Sequence, residues 1–372
     1  MEEVTLQGIL SNELEGVLSR RSLSLFQIKA LSKLSCCRTA SLGGHSQYCS
    51  NGHLNGVWYN SCKHRSCPQC RGIAKEEWLQ NTQRILLDCP HHHVIFTIPS
   101  SLNELWRYNR SLMSDFLFAA VRETLKQFSS DDRYLGAAPG TLSVLHTWGR
   151  NLSLHPHIHV LISHGGMNEG GQWVVPKKEQ LFPQKPVMMV FRGKMLSMVK
   201  VALRKGELKF PTSRRVHQIE AELNRLGRLP WVVHFCKRYD YAKGVAKYLA
   251  RYVKGGAFSN SQIRRTNPGL IQFSYHSHRS KRRELLHLKV DNFVVQVSQH
   301  IPEPGKQMVR YGGLYASGCR AKLNVAREYL GQQAVSERLV VSWQEYLGSN
   351  GRLPVCDVCG GELSLGVLNL KR

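Results

Sequence analysis

The order of apolar and polar residues along this 372-residue chain predicts helices and strands in mixed succession. The apolar run His93–Pro99 is typical of a buried strand, and residues 141–148 and 157–163 predict a hairpin of two strands joined by a polar loop. A further strand is predicted over Ile271–His276. Helical spacing of apolar residues predicts helices over 11–35, 73–87, 103–128, 240–254, 320–331 and 336–347. Because strands and helices do not alternate strictly, the predicted fold class is α+β with an antiparallel sheet.

We expect three regions along the chain. Residues 1–90 should form a helical, cysteine-rich N-terminal domain, residues 91–320 the main α+β domain, and residues 321–372 a helical C-terminal tail. The main domain contains a basic helical insertion around residues 185–238. From Arg192 to Arg238 there are twelve Lys or Arg residues against three acids, so this insertion is expected to contact a polyanion.

The net charge narrows the class of partner. Fifty-one Lys and Arg residues against 26 Asp and Glu residues leave a formal charge of +25, which indicates nucleic acid. No apolar run approaches the ~20 residues that a membrane helix needs, so no membrane partner is expected. The N-terminus lacks a secretory leader, which predicts a cytoplasmic protein whose eleven cysteines are metal ligands or buried thiols rather than disulfides.

Six of those cysteines lie between residues 36 and 70, in a stretch rich in Gly, Ser and Asn. Their spacing is that of zinc ligands, and the candidates are Cys49, His53, Cys62, Cys67 and Cys70. The pairs Cys49/His53 and Cys67/Cys70 are interpreted as one tetrahedral site, with Cys62 as a fifth candidate. A second site formed by Cys36, Cys37 and His45 stays open, as does a set of buried thiols. The pair Cys356 and Cys359 has no predicted partner.

Three histidines in five residues mark the strand that begins near residue 157. His157 and His159 are two residues apart, so their imidazoles project from the same face of a strand and can share a divalent cation. His155 precedes a proline and is a candidate third ligand. The alternative is a solvated histidine pair. The run His91–His93 is interpreted as part of a loop that precedes a strand.

The predicted helix over 240–254 carries two tyrosines four residues apart. Tyr248 and Tyr252 therefore share one helix face, and a tyrosine oxygen can attack a phosphodiester and hold the new 5′ end covalently. Lys247, Arg251 and Lys254 flank them and would offset phosphate charge. Packing of both tyrosines in a core is the alternative.

Taken together, these motifs resemble those of HUH endonucleases, and more narrowly the transposases of the insertion-sequence-91 family. The resemblance covers roughly residues 15–320. It rests on four motifs in this order: Leu42–His45, Tyr59–Cys70, His155–His159 and Tyr248–Tyr252. It implies an HUH nuclease domain with His157 and His159 as ligands of catalytic magnesium or manganese, and with Tyr248 and Tyr252 as nucleophiles. It also implies structural zinc in the preceding domain.

The implied activity is cleavage and transfer of single-stranded DNA through a 5′-phosphotyrosine intermediate, in rolling-circle-like transposition. Transposon ends and target DNA are the expected partners, and the bacterial nucleoid is the expected location. The DNA-binding candidates are Lys247, Arg251, Lys254, Arg279, Lys281, Arg282 and Arg283. Two alternatives remain: a metal-dependent nuclease in which water attacks, and a non-enzymatic zinc-containing protein that binds nucleic acid.

Overall fold

The computed structural model describes residues 2–236, 238–240, 256–267, 269–277, 279–351 and 354–368. The described strands are β1 (Glu2–Glu3), β2 (Gly44–Cys49), β3 (Leu54–Tyr59), β4 (His91–Thr97), β5 (Ala138–Trp148), β6 (Leu154–Met167), β7 (Trp173–Val174), β8 (Val232–Phe235), β9 (Ile263–Asn267), β10 (Leu270–His276), β11 (Arg283–Lys289), β12 (Val309–Gly313) and β13 (Leu363–Leu368). The described α-helices are α1 (Leu6–Arg20), α2 (Leu25–Ser35), α3 (Gly72–Ile85), α4 (Asn103–Tyr108), α5 (Arg110–Ser129), α6 (Gln184–Arg204), α7 (Val216–Leu226), α8 (Val290–Gln299), α9 (Arg320–Tyr329) and α10 (Trp343–Ser349).

A central antiparallel sheet organises the molecule. Its strands lie in the order β12-β5-β6-β4-β8, and the short β7 pairs with β6 beside this path. The predicted hairpin is confirmed, since β5 and β6 pair antiparallel over most of their length. Antiparallel pairing throughout the central sheet, together with the surrounding helices, confirms the predicted α+β class.

The two faces of the central sheet are covered differently. Because side chains alternate along a strand, Ile158, Val160 and Ile162 of β6 point to one face and join a large apolar core with α4, α5, α6 and α7. The opposite face is covered over part of its area by α3 and α9, around Leu161. The remaining part of that opposite face carries His93 of β4, His146 of β5, and His157 and His159 of β6.

A second, four-stranded sheet has the order β1-β9-β10-β11. Helices α1, α2 and α8 pack on it around a core that contains Leu10, Leu31 and Phe293. The first 35 residues therefore share a core with strands from the far side of residue 256. A third sheet, β13-β2-β3, joins the last described strand to the cysteine-rich segment near the N-terminus.

Several predicted helices differ from the observed ones. The helix predicted over 11–35 is two helices, because Ser24 caps α2 through a capping box with Gln27. The helix predicted over 103–128 is interrupted at Asn109, whose side-chain amide donates to the Lys209 carbonyl oxygen.

The C-terminal tail differs most from the prediction. The helix predicted over 336–347 begins only at Trp343, since backbone groups of Leu339 exchange hydrogen bonds with the Asn81 side chain on α3. The tail was predicted to be helical, yet it also contains strand β13. The helix predicted over 240–254 lies outside the described residues. Among the residues that are described, no helix is long and apolar enough to cross a bilayer.

Candidate functional site

Three imidazoles meet on the open face of the central sheet. His157 and His159 project from β6 as predicted, and His146 joins them from β5, where it is the direct cross-strand neighbour of His157. One ring nitrogen from each lies within 4.8 Å of the others. All three side chains are buried. We call these residues the three-histidine cluster.

Hydrogen bonds fix the orientation of two of the rings. The Nδ1 atom of His157 donates to the backbone oxygen of His155 at 2.6 Å, so the Nε2 atom of His157 carries the lone pair. That Nε2 atom lies 3.1 Å from the Nε2 atom of His159. Two nitrogen ligands of one cation, each bound at about 2.0–2.1 Å, lie about 3 Å apart, so this spacing fits a shared metal ion.

His93 provides the outer partner of His159. Its Nε2 atom lies 2.8 Å from the Nδ1 atom of His159. A His159 ring that presents Nε2 as a ligand has its proton on Nδ1, which then donates to His93. Such outer partners hold the ring orientation and tautomer of metal-binding histidines.

Burial makes these histidines neutral. It lowers the pKa of His157 and of His93 to about 4, and it lowers the pKa of His146 and His159 well below the ordinary value of 6.5. Neighbouring imidazoles lower each of these pKa values further. Neutral imidazole is the form that binds a cation, so the cluster is ready to accept one at neutral pH.

His155, the candidate third ligand, lies beside the cluster rather than in it. Its side chain is exposed, and its ring centre is 5.0 Å from that of His157. The run His91–His93 was interpreted as a loop, but it forms the start of β4. That interpretation failed because the whole run is buried by neighbouring strands, which the short polar sequence does not reveal.

The cluster lies in one large cleft of about 2240 Å³. No Asp or Glu side chain occurs among the described residues that line it. Its described cationic side chains are Arg38, Lys63, Arg71, Lys75, Arg150 and Arg279. Its described aromatic side chains are Trp58, Tyr59, Trp148, Tyr239, Phe258, Tyr275, Trp343 and Tyr346. Positive charge together with stacking surfaces is the combination that holds single-stranded nucleic acid.

The predicted DNA-binding residues are divided between this cleft and its surroundings. Arg279 lines the cleft, and Lys281 and Arg282 are exposed on the turn between β10 and β11. Arg283 is exposed and donates to the Ser274 hydroxyl at 2.9 Å. Lys247, Arg251, Lys254, Tyr248 and Tyr252 all lie outside the described residues.

The basic insertion does not reach the three-histidine cluster. Helices α6 and α7 pack through Phe191 and Leu223 on the opposite face of the central sheet. Of the described residues in the insertion, only His234 and Cys236, near its end, line the cleft. The predicted contact of this insertion with a polyanion therefore stays a prediction, and the insertion helices lie away from the cluster.

The cysteines form two clusters rather than one. Cys62, Cys67 and Cys70 gather with Cys37, which the sequence had left as a candidate for a second site. Their sulfur atoms lie 3.6 Å apart in the pairs Cys62–Cys70 and Cys37–Cys67. Four sulfurs on one zinc ion, each at about 2.3 Å, lie about 3.8 Å apart, so the four-cysteine cluster fits zinc. Hydrogen bonds from the Cys62 and Cys67 thiols lower the pKa of Cys70.

The remaining pair of predicted ligands has a distant partner. Cys49 and His53 lie with Cys356 and Cys359, more than 300 residues away in sequence. We call this group the tail cluster. The sequence left Cys356 and Cys359 without a partner because nothing local in it indicates that β13 pairs with β2.

Comparisons with known proteins identify the family. Residues 9–98 match a family model described as a transposase zinc-binding domain, and residues 140–322 match one described as a putative transposase. The putative transposase y4qJ of Sinorhizobium fredii is 31% identical over 332 residues, which is 87% of this chain and 83% of that protein. The chain belongs to the insertion-sequence-91 family of transposases.

Two further proteins are similar to parts of this chain. The transposase for insertion sequence element IS801 of Pseudomonas savastanoi pv. phaseolicola is 30% identical over 308 residues, or 81% of this chain and 73% of that protein. The conjugative relaxase TrwC, solved with a 27-mer DNA, aligns at 17% identity with a TM-score of 0.25, over 44% of this chain and 66% of that chain.

Membership in this transposase family confirms the predicted class of enzyme and DNA as its partner. The zinc-binding match spans the four-cysteine cluster, so the transposase carries structural zinc, as predicted. The same match includes Cys49 and His53 but ends before Cys356 and Cys359. The putative-transposase match includes the three-histidine cluster together with Tyr248 and Tyr252.

His146 is the member of the three-histidine cluster that the sequence analysis did not predict. A signal for it existed, because the predicted hairpin placed His146 on the strand next to His157. If the two strands paired symmetrically about the loop, His146 would lie opposite Pro156, and its side chain would point to the face away from His157. A register shift in the hairpin brings it opposite His157 instead.

Proposed function

We propose that this transposase cleaves one DNA strand in the electropositive cleft and holds the new 5′ end on Tyr248 or Tyr252. The single observation that carries the proposal is the convergence of His146, His157 and His159 in a cleft without acidic lining residues among those described. A scissile phosphate is attracted to such a cleft by its charge.

The three-histidine cluster is suited to hold a divalent cation. Its donors are three neutral imidazoles, and no carboxylate is available among the described residues that line the cleft. Imidazole nitrogen is a better ligand for transition metals than for magnesium, so manganese is the better fit of the two predicted metals. A bound cation supplies Lewis-acid polarisation of the scissile phosphate.

The connectivity of the chain supports the role of the tyrosines. Residues 241–255, which contain Tyr248 and Tyr252, follow Tyr239 and Asp240 and precede Gly256. Both Tyr239 and Gly256 line the cleft, and the Tyr239 ring centre lies 6.4 Å from that of His93. The segment that carries the tyrosines is thus joined at both ends to the walls of the cleft.

The proposed step is a balanced transesterification. The phenolic oxygen of the tyrosine forms a bond to phosphorus as its proton leaves, and the bond between phosphorus and the 3′ oxygen breaks. The released 3′ oxygen takes up a proton and becomes a hydroxyl, while the 5′ phosphate stays on the tyrosine. Attack by a 3′-hydroxyl on this ester reverses the step and joins strands without ATP.

The predicted organisation and location are part of the same proposal. The boundaries near residues 90 and 320 would separate the zinc-binding, nuclease and tail regions. We expect the transposase to act in the cytoplasm on DNA of the bacterial nucleoid.

A covalent-adduct assay tests the proposal. Labelled single-stranded oligonucleotide from a transposon end, incubated with the protein and manganese, should give a denaturant-resistant band at the mass of protein plus DNA. The Tyr248→Phe/Tyr252→Phe double variant should lose this band but keep DNA binding. Cleavage by the double variant at the wild-type rate would show instead that water attacks and that the tyrosines only pack.

A further inference from the structure

We propose that the tail cluster binds a second zinc ion, which fastens the C-terminal tail to the N-terminal zinc-binding domain and closes one side of the DNA cleft. The metal site is independent of the proposed function, whereas its effect on DNA rests on that function. The ligands are Cys49, His53, Cys356 and Cys359.

The spacing of the ligand atoms fits zinc. The Cys49 sulfur lies 3.4 Å from the Nδ1 atom of His53 and 3.6 Å from the Cys359 sulfur. The Cys356 sulfur lies 3.9 Å from the same Nδ1 atom. These distances are far above the about 2.05 Å of a disulfide and close to the separation of ligands around tetrahedral zinc. Three cysteines and one histidine are a common structural zinc set.

The backbone around each ligand pair is already turned for binding. The Gly52 N–H donates to the Cys49 carbonyl at 2.9 Å, and Gly52 has a φ of 79°, which favours glycine. On the tail side, the Val358 N–H donates to the Cys356 sulfur at 3.4 Å. A sulfur that accepts a backbone N–H is stabilised as the thiolate that zinc requires.

Apolar packing alone is a weak reason for the tail to dock here. The core at this position contains Cys49, Cys356 and Leu363, with Trp343 packed against it. So small a core does not repay the loss of chain entropy, and structures of this size usually depend on a metal or disulfides. Zinc therefore supplies the stability that the packing lacks.

The path of the tail explains what the second zinc would do. The chain runs along α3, where Arg338 forms an ion pair with Glu77 at 3.1 Å. Farther along, the Tyr346 ring lies against Gly72, where any larger side chain would collide with the tyrosine oxygen. Trp343 and Tyr346 then line the same cleft as the three-histidine cluster, together with Leu365 of β13. The tail is thus one wall of the cleft, held at its far end by the tail cluster.

Zinc content tests the site directly. Purified wild-type protein should contain, by elemental analysis, two zinc ions per chain at cysteine-containing sites, since its described residues form two such clusters. The Cys356→Ser/Cys359→Ser variant should retain one. Cys319→Ser is the matched control because this cysteine belongs to neither cluster, and it should retain two. His53→Cys keeps four ligands and should also retain two. Equal zinc content in the wild type and the double-serine variant would overturn the proposal.

The rate at which single-stranded DNA dissociates tests whether the tail closes one side of the cleft. Single-stranded oligonucleotide chased with unlabelled competitor should dissociate about 10-fold faster from Cys356→Ser/Cys359→Ser than from Cys319→Ser, because affinity differences lie mostly in dissociation rates. An unchanged rate with one zinc lost would overturn the closing role. Manganese binding at the three-histidine cluster should be equal in both variants, which shows that the fold is intact. If the proposed function is wrong, no variant forms a covalent adduct, yet the zinc counts stay as stated.

Discussion

His146 lies directly opposite His157 in the antiparallel pairing of β5 and β6. Nearer the loop of this hairpin, Trp148 pairs with Leu154. Between these two pairs β6 contains one residue more than β5, so the register shifts as at a β-bulge. The shift turns His146 to the same face as His157 and completes the three-histidine cluster.

His146 should therefore be as necessary for cation binding as the two histidines of β6. The His146→Ala variant should bind manganese more than about 100-fold more weakly, since even outer-shell partners of metal ligands contribute 10–100-fold. Isothermal titration calorimetry gives the affinity, and the covalent-adduct assay gives the activity.

His164→Gln is the control for this loss. His164 also lies on β6, but its Nδ1 atom contacts the Nε2 atom of His92 at 2.7 Å and not the cluster. The His164→Gln variant should bind manganese with the same affinity as the wild type. Unchanged manganese affinity in His146→Ala would contradict the assignment of His146 as a ligand.

His93 should act on the cation through His159. The His93→Ala variant should weaken manganese binding by about 10–100-fold, because the Nδ1 proton of His159 loses its acceptor. His93→Gln provides a side-chain oxygen that can accept the same proton, so it should recover much of the affinity. Equal losses in both variants, measured by calorimetry, would argue for packing rather than hydrogen bonding as the role of His93.

Acid should destabilise the protein through its buried histidines. Burial lowers the pKa of His300 to about 4 from 6.5, and the ring bonds to the Leu152 oxygen at 2.8 Å. The unfolded chain therefore binds more protons than the native state between about pH 6.5 and pH 4, so stability is lost as the pH falls through this window. For His300 the loss is about 3 kcal/mol at most.

Thermal unfolding at several pH values measures this effect. His300→Gln keeps a donor for the Leu152 oxygen but cannot take up a proton, so its unfolding temperature should fall less between pH 6.5 and pH 4 than that of the wild type. Parallel curves for the two proteins would exclude His300 as a source of the acid sensitivity.

Added salt should weaken DNA binding steeply, with the effect arising in the cleft. The logarithm of the affinity for single strands should fall with the logarithm of salt concentration by about 0.7 for each phosphate neutralised. Arg150→Gln/Arg279→Gln removes two cleft cations, so the slope should decrease by about 1.4.

The Lys205→Gln variant tests whether DNA binds to the basic insertion rather than to the cleft. Lys205 is exposed at the end of α6, and it is not among the residues that line the cleft. The slope of log affinity against log salt concentration for Lys205→Gln, measured by fluorescence anisotropy, should match that of the wild type. A decrease of about 0.7, the value for one phosphate contact, would place the DNA on the insertion face instead.

Local patterns in the sequence predicted much of the fold and part of the site. The alternation of β6 placed His157 and His159 on one face, and this face is the one they share with His146. The position of His146 could not be predicted, since it depends on a one-residue shift in a hairpin whose loop gives no sign of it.

Contacts between segments that are distant in sequence could not be predicted either. Cys37 and the pair Cys356 and Cys359 complete the two cysteine-containing clusters, yet each is distant in sequence from its partners. Spacing rules for zinc apply within a short turn and say nothing about which turns meet. The pairing of β13 with β2 is what brings the tail ligands to Cys49.

The most direct test of the central claim is to locate the covalent DNA link within the chain. Trypsin cuts after Lys247, Arg251 and Lys254, so it separates Tyr248, in residues 248–251, from Tyr252, in residues 252–254. Mass spectrometry of the manganese-dependent adduct, after nuclease trimming, should find a 5′-phosphonucleotide on one of these two peptides, and none with His146→Ala. A phosphonucleotide on any other peptide, or cleaved DNA with a free 5′ phosphate and no adduct, would contradict the account.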